Sequence, residues 1–355
     1  MKKKYFDSLV CPKCLNSLEL KNEKITDEVI ESGKISCLKC NLDFFIKEGA
    51  AIFGLETKNA EERFKEIKGE NRWTYDDIDI KDHINFAIKS ARVSLNMIKK
   101  LKTINQKKGK LKVLDIGSGW GCFQSLQFAK EDYNVVAVDI CPEFILSSNE
   151  MVKKKYFERI VSDSNILPFI DNSFDIIFCK ELIHHMNNPK NLLNELTRVA
   201  SSDGIIIIRE PCTSILLKNT IAKKDKAIKS GITHYYFSYF DYINYLNEIT
   251  MIKKINCCPS IINSHNHKFI NSLQKVILFT SKIKFLKNTL LKLHLIFLGG
   301  SIEIYGINKN RYIKQNRNKV GITPINVKII DNKKVEFYRK ELIPKVYNIF
   351  SKTKK

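Results

Sequence analysis

No window of about 18 consecutive apolar residues occurs in this 355-residue chain, so no segment reads as a membrane span. The start, MKKKYFDSLVCPKC, carries a basic run without an apolar stretch behind it. That argues against a signal peptide and points to the cytoplasm. Arginine is scarce, and the net charge of +22 comes overwhelmingly from lysine in a chain also rich in isoleucine and asparagine. A phosphate-reading surface more often enriches arginine for its bidentate fork, so the charge reads first as compositional drift. The tail from Lys309 to Lys355 is the one stretch whose basic character keeps RNA binding open. A Gly-Lys-Ser/Thr triplet is also missing, which excludes a P-loop.

What is present divides the chain. Its apolar content of 44% is ordinary for a globular protein, and the length suits two modest domains, or one large domain with an appendage. Four of the ten cysteines fall in the first forty residues, as two CxxC pairs in LVCPKCLNSLEL and ISCLKCNLDFF. These supply Cys11, Cys14, Cys37 and Cys40. Each CxxC sets two thiolates on a tight knuckle, and two knuckles close a tetrahedral Zn–S₄ site with no open position. A segment under sixty residues can scarcely bury a core, so a structural zinc staple makes physical sense. The intervening residues are expected to hold a hairpin around ESGKIS.

The stretch LVCPKC…ISCLKCNLDFFIKEGAAIF resembles the small zinc-ribbon proteins that act as activator subunits of RNA and protein methyltransferases. Phe45 stands where that family usually has proline. The resemblance covers roughly residues 5 to 55 and implies a non-catalytic metal.

From 57 to 110 the chain is polar and helix-prone, reading as a helical linker or cap. Ile84, Ala87, Ile88, Ala91, Leu95 and Ile98 recur at helical spacing. Trp73 and Tyr75 precede that helix as core or lid residues. Beyond it, short β-branched runs at 111–116, 135–139, 158–162, 174–179 and 204–208 alternate with amphipathic stretches such as NPKNLLNELTRVA. That is the pattern of a doubly wound α/β sheet, in which ligands bind beyond the carboxyl ends of the strands.

At those ends stand acids. The first strand closes on Asp115, followed by Gly117, Gly119 and Gly121. The spacing is GxGxG rather than the GxGxxG of a dinucleotide fold, and an acid beside the loop repels pyrophosphate but suits a cationic amino group. The second strand ends in Asp139, placed to take two ribose hydroxyls. Asp163, at the third strand end, can accept from an adenine amino group. An amine anchor, a ribose anchor and an adenine anchor, without a phosphate site, describe S-adenosyl-L-methionine. A nucleotide-binding Rossmann domain is the competing reading.

Residues 111–256 resemble the class I S-adenosylmethionine-dependent methyltransferases, nearest the group containing the quinone-biosynthesis enzymes. The motifs that carry this are VLDIGSGWG, VVAVDI, SDSNILPFIDNSFDIIFCKELIHHM and GIIIIREP. The resemblance implies a Rossmann-like seven-stranded sheet with helices on both faces, preceded here by a small β-rich zinc ribbon. It assigns Asp115, Gly117 and Gly119 to the methionine end of the cofactor, Asp139 to the ribose, and Asp163 with Ser164 to the adenine, with Ser118, Gly121, Ile140 and Cys179 completing the cofactor-binding set. IEIYGI becomes the last antiparallel strand of a domain spanning 111–310, with an insertion at about 257–297 and a basic tail over 311–355. SYFDYINYLNEITMIKKI is the penultimate helix–strand unit, without the usual Gly-Phe between its halves.

The fourth strand ends in CKELIHHM rather than the [DN]PP[FYW] of amino-directed adenine methyltransferases, which disfavours that subclass. Cys179 stands where cytosine-C5 enzymes hold a nucleophile, but without their flanking proline or threonine; it reads as a buried residue at the cofactor end. His184, His185 and His234 are the candidate general bases, with Tyr235, Tyr236 and Phe237 suited to a planar or glycosidic acceptor. In the insertion, Leu286, Leu290, Leu293 and Phe297 repeat at helical spacing among lysines, a weak membrane-surface signal. The first reading is methylation of an O or N atom of a small molecule or glycan precursor. The second is an rRNA or tRNA methyltransferase, resembling the guanine-N1 rRNA enzymes that also join a zinc ribbon to this fold.

Overall fold

The computed structural model describes residues 1–56, 92–101, 110–186, 188–215, 234–259, 287–309 and short pieces within 323–347. Four strands come first: β1 (Glu19–Thr26), β2 (Val29–Cys37), β3 (Leu42–Lys47) and β4 (Ala50–Phe53), with the short β5 (Leu55–Glu56) behind them. Next follow β6 (Lys112–Ile116), β7 (Asn134–Asp139), β8 (Glu158–Ser162), β9 (Phe174–Lys180), β10 (Ala200–Cys212), β11 (Thr250–Pro259) and β12 (Gly300–Asn308). β13 (Thr323–Pro324) pairs with β5.

These strands build one sheet of eleven, in the order β1-β2-β3-β4-β8-β7-β6-β9-β10-β12-β11. β6 to β10 run parallel, and β12 lies antiparallel between β10 and β11. The sequence expectation counted seven strands with a ribbon set before them. The four extra strands enter because β4 pairs parallel with β8, Ala51 opposite Ile160 and Phe53 opposite Ser162. The AAIF run is buried along its whole length; a strand apolar on both faces cannot stay at a free edge of a small ribbon and is satisfied by joining a larger sheet.

Alternation along the parallel strands sorts the core into two layers. Leu114, Ile116, Val136, Val138, Ile177, Ile206 and Ile208 face the helices Lys190–Val199 and Tyr239–Ile249, together with Leu9, Ile35, Phe44 and Phe53 of the amino-terminal module. Val113, Val135, Ala137, Ile176, Phe178 and Ile207 face the other way, onto Met97, Ile98, Leu101, Leu126 and Phe128. Met97, Ile98 and Leu101 lie on a helix over 92–101, the described part of the expected cap. Trp73, Tyr75 and the apolar positions before 92 lie outside the described residues.

Two further expectations shift. The turn between β1 and β2 falls at Asp27–Glu28, both at positive φ (48° and 63°), while ESGKIS lies inside β2. A tight two-residue hairpin requires that left-handed pair, and Gly33 sits instead in a strand. The helix Tyr239–Ile249 passes into β11 at Thr250 without an intervening Gly-Phe, the Thr250 hydroxyl donating to the Leu246 carbonyl at 2.8 Å. The insertion begins after Pro259 and closes with the helix Lys287–Leu298, which buries His294, Leu295, Ile296 and Leu298 and leaves Leu293 and Phe297 exposed; Leu286 is outside the described residues. No helix among the described residues is long and apolar enough to cross a membrane.

The carboxyl-terminal segment, expected as a basic tail, is in its described parts a strap. Val335 and Ile343 are buried, and Arg339 donates to the Leu146 carbonyl at 2.8 Å and pairs with Glu48. Glu48, in the turn between β3 and β4, also accepts from Asn149 at 2.5 Å through its carboxylate and from Arg159 through its carbonyl. One turn of the amino-terminal module thus ties together β8, the helix Asn149–Lys154 and the end of the chain.

Candidate functional site

Two short loops and one turn converge at the carboxyl ends of β6, β7 and β8. After β6, Gly117 and Ser118 donate their amides to the Val138 carbonyl at 2.9 and 3.0 Å, which hinges the glycine loop onto β7. Gly119 then donates to Asp139 Oδ2 at 2.8 Å, and Cys141 donates to Asp139 Oδ1 at 2.9 Å. The Asp139 carboxylate is held from both sides, its orientation fixed before any ligand arrives. Ile140 lies half-buried between those two contacts.

Gly119 has φ 65°, and a Cβ placed there would meet nothing within 4 Å among the described residues. Among those residues the loop faces open space. Gly121 has φ 74°, but its surroundings are closed: a Cβ would come within 3.0 Å of Phe123 and 3.2 Å of Ile343. A side chain at either position would be strained by φ alone, and at Gly121 it would also push the carboxyl-terminal strap away. Ser118 is buried, its hydroxyl 3.6 Å from the Cys122 sulfur.

Asp115 is buried, and its Oδ2 accepts from the Ser125 hydroxyl at 2.5 Å. Burial pushes its carboxyl up to about 7, against the Ser125 hydrogen bond and the field of Lys180, with Asp139 adding to the rise. Burial likewise pushes Asp139 up to about 6, opposed by the amides of Cys141, Gly119 and Ile140. Two carboxyls that ionise reluctantly side by side are poised for a cation.

At the β8 end, Asp163 Oδ1 accepts the amide and the side chain of Asn165 at 2.9 and 3.0 Å. Beside it, the Ser164 hydroxyl is buried and has no hydrogen-bond partner among the described residues. An unmade hydrogen bond of this kind costs about 1–3 kcal/mol, which a polar ligand would recover. The segment after Asp163 is clamped by residues that sequence reasoning passed over. Arg198, fully buried, donates to Glu195, Asp171 and the carbonyls of Leu167 and Phe169, and Glu195 accepts the Leu167 amide at 2.8 Å. A Glu–Arg pair three apart on a helix reads as a surface pair, and only the fold turns it inward. The same segment meets the amino-terminal module: Val10 donates to the Pro168 carbonyl at 3.0 Å and Leu9 bridges Phe169.

Cys179 lies wholly inside the core, its thiol pushed well up by burial and by the nearby Glu210 and Asp115 carboxylates. That burial argues against a nucleophile's role.

The three histidines come together. His184 and His185 sit in a single turn, Ile183–His185, just after β9. His234 is brought to them because Tyr235 donates to the His184 carbonyl at 2.7 Å. The ring centroids lie 4.2 Å apart for His184 and His185, and 5.0 Å apart from each to His234. Glu210, at the β10 end and fully buried, accepts the amides of Leu182 and Ile183 at 2.8 and 2.9 Å and faces His184 Nδ1 at 2.7 Å. Its role went unread in GIIIIREP, although a lone acid ending a run of four isoleucines at a carboxyl strand end is a legible signal. Leu182 packs within 3.3 Å of the position a Gly117 Cβ would take, so this cluster adjoins the glycine loop.

The four amino-terminal cysteines also converge. Their sulfurs lie within 4.8 Å of one another, with Cys14 and Cys37 at 3.6 Å. Four ligands about 2.3 Å from a tetrahedral zinc would stand roughly 3.8 Å apart, so the donor set fits that ion. Burial pushes Cys11 up, whereas at Cys14 hydrogen bonds from Asn16, Cys40 and Cys37 outweigh burial and bring the thiol down to about 7.

Residues 114–208 match the family model described as a methyltransferase domain. Among the curated relatives, an uncharacterised protein of Methanocaldococcus jannaschii is 32% identical over 47% of this chain and 66% of its own length. The demethylmenaquinone methyltransferase of Renibacterium salmoninarum is 33% identical over 28% of this chain and 40% of its own length. In both, the matched part is less than two thirds of the relative. A solved structure of Haemonchus contortus phosphoethanolamine N-methyltransferase 2 with S-adenosyl-L-methionine aligns at TM-score 0.41 and 17% identity, covering 58% of this chain and 50% of that one. The likeness to methyltransferases is carried by the segment 114–208.

Proposed function

We propose that the chain transfers a methyl group from S-adenosyl-L-methionine to an O or N atom of a small molecule or glycan precursor. The observation that carries this reading is the row Asp115, Asp139 and Asp163 at the ends of three adjacent parallel strands, around the open face of Gly119. When bound, the cofactor supplies an electrophilic methyl on a sulfonium, a leaving group that needs no acid. The chain's own part is to bind and align. Asp115 offers its charge to the methionine ammonium, Asp139 accepts from the ribose hydroxyls, and Ser164 with Asp163 meets the adenine edge. The glycine loop, with Ser118 and Gly121, lets the backbone approach the ligand closely, and Cys179 with the core beneath keeps water out of the floor.

We infer also that Cys11, Cys14, Cys37 and Cys40 hold a structural zinc. The sulfur spacing, the all-thiol donor set and the sheet continuation through β4 support this role, which resembles an activator subunit fused in line. The alternative, an RNA substrate held by a free basic tail, is less well supported, because Arg339 and Ile343 of that tail are engaged in packing.

Calorimetry decides the cofactor assignment. S-adenosylhomocysteine is expected to bind the full chain and NAD is not; the reverse result removes the reading.

A further inference from the structure

We propose that His184, His185 and His234 form a second metal site, a three-imidazole site for a divalent transition ion, with Glu210 as the carboxylate that orients it. One ligand nitrogen from each ring lies within 4.8 Å of the others, so a small closure brings all three onto one ion. The rings come from two separate parts of the chain, and the contact between them is fixed by the Tyr235 amide on the His184 carbonyl and by the Thr213 amide on the Phe237 carbonyl at 2.9 Å. Three imidazoles packed this closely gain nothing from hydrophobic burial that three aliphatic side chains would not supply better. As ligands they gain a great deal.

The surroundings carry the assignment further. Glu210 Oε2 lies 2.7 Å from His184 Nδ1, so the carboxylate occupies that ring nitrogen and leaves Nε2 on the other side of the ring for an ion. Metal-bound histidines almost always show such a carboxylate or carbonyl on the second nitrogen, fixing the tautomer and raising ligand basicity. Glu210 is itself locked by the amides of Leu182, Ile183 and His184. A fully buried carboxylate with that many donors at the base of a histidine trio is a costly arrangement for packing alone.

Nitrogen donors select the ion. Imidazoles suit Zn²⁺, Co²⁺, Ni²⁺ or Cu²⁺, whereas Mg²⁺ and Ca²⁺ want oxygen. Three protein ligands leave a fourth position open, the pattern of a catalytic rather than a structural site. His184 is buried, but His185 and His234 are only half-buried, so that position is reachable. Tyr235, Tyr236 and Phe237, which follow His234 in the chain, are half-buried. The ligand class that fits is an oxygen-bearing acceptor, a phenol or sugar hydroxyl, whose oxygen binds the ion while its proton passes to solvent. That use rests on the proposed methyltransferase reading; the metal site itself does not.

The test uses the full chain with its cysteine site already filled with zinc, and Co²⁺ as the probe. Calorimetry and visible spectroscopy are expected to show one further equivalent, with ligand-field absorption and no thiolate-to-cobalt charge transfer. His185→Ala and His234→Ala are expected to abolish that equivalent, and Glu210→Gln to weaken it by about 10–100-fold. Binding of S-adenosylhomocysteine, measured alongside, reports whether each variant is folded and whether the cofactor reading holds independently. Should the variants fail to fold, electron paramagnetic resonance of the Cu²⁺-loaded parent chain decides: imidazole nitrogen hyperfine structure supports the site. No further equivalent, one that persists in both histidine variants, or a signal showing only sulfur ligation overturns it.

Discussion

The two clusters of metal-type side chains are built on opposite logic. The amino-terminal cluster offers four soft thiols from two knuckles and encloses its centre, leaving no coordination position free. The central cluster offers three imidazoles and a buried carboxylate behind one of them, and three ligands leave a coordination position free. A closed sulfur set suits a staple for a module too small to hold a core, and an open nitrogen set suits chemistry. The difference extends to the backbone. The cysteine module is joined to the rest of the molecule by the β4–β8 pairing, by loop contacts and by a shared apolar layer, whereas His184 and His185 follow directly on β9 in the middle of the large sheet.

The largest effect that would sharpen this contrast is loss of the staple. Cys37→Ser is expected to release the proposed zinc and cost about 3 kcal/mol or more, lowering the main thermal transition by about 4 °C. Because Val10 pairs with Pro168 next to Asp163, affinity for S-adenosylhomocysteine should fall as well. A calorimetric trace in which the amino-terminal module melts alone, with the main transition unmoved, would break the claim that β4 makes one sheet of both regions.

Next comes the proposed cofactor site. Asp139→Ala is expected to weaken S-adenosylhomocysteine by about 100-fold, roughly 3 kcal/mol, since a doubly anchored carboxylate makes charge-assisted bonds. Titration of the variant checks it; an unchanged dissociation constant would move the ribose elsewhere.

A proton-linked effect of intermediate size follows from Asp115 and Asp139. Both ionise in the folded chain near pH 7 and 6 rather than at the ordinary 3.8. The stability they contribute is therefore full below about pH 4 and is lost as pH rises through 6 to 7. A cationic ligand beside them favours the charged forms, so binding near pH 6 should release protons, and this release should vanish by about pH 8. Calorimetry in two buffers of different ionisation enthalpy measures it, and proton uptake would contradict the placement.

The smallest expected effect is at the strap. Ile343→Ala leaves the packing against Gly121 incomplete and should cost about 2–3 kcal/mol of stability, with only a few-fold loss of cofactor affinity. Equilibrium denaturation and the same titration separate the two numbers.

How much of this was legible beforehand varies by element for physical reasons. The strands β6 to β10 were readable because a parallel sheet buried on both faces leaves continuous β-branched runs. The acids at their ends were readable because those runs stop abruptly at them. The thiols were readable because CxxC carries its own geometry. By contrast, AAIF reads identically whether it ends a ribbon or joins β8. Glu195 and Arg198 look like an ordinary surface pair, and the carboxyl-terminal lysines mask the two apolar residues that dock.

The sequence by itself determined which side chains are proposed to meet a sulfonium nucleoside and a thiophilic metal, since both readings depend on donor type and local spacing. Only the tertiary structure decided that His184, His185 and His234 meet, that Glu210 stands behind them, and that the amino-terminal module extends the central sheet. Those are contacts between segments dozens of residues apart, fixed by how strands order in a sheet rather than by any local pattern.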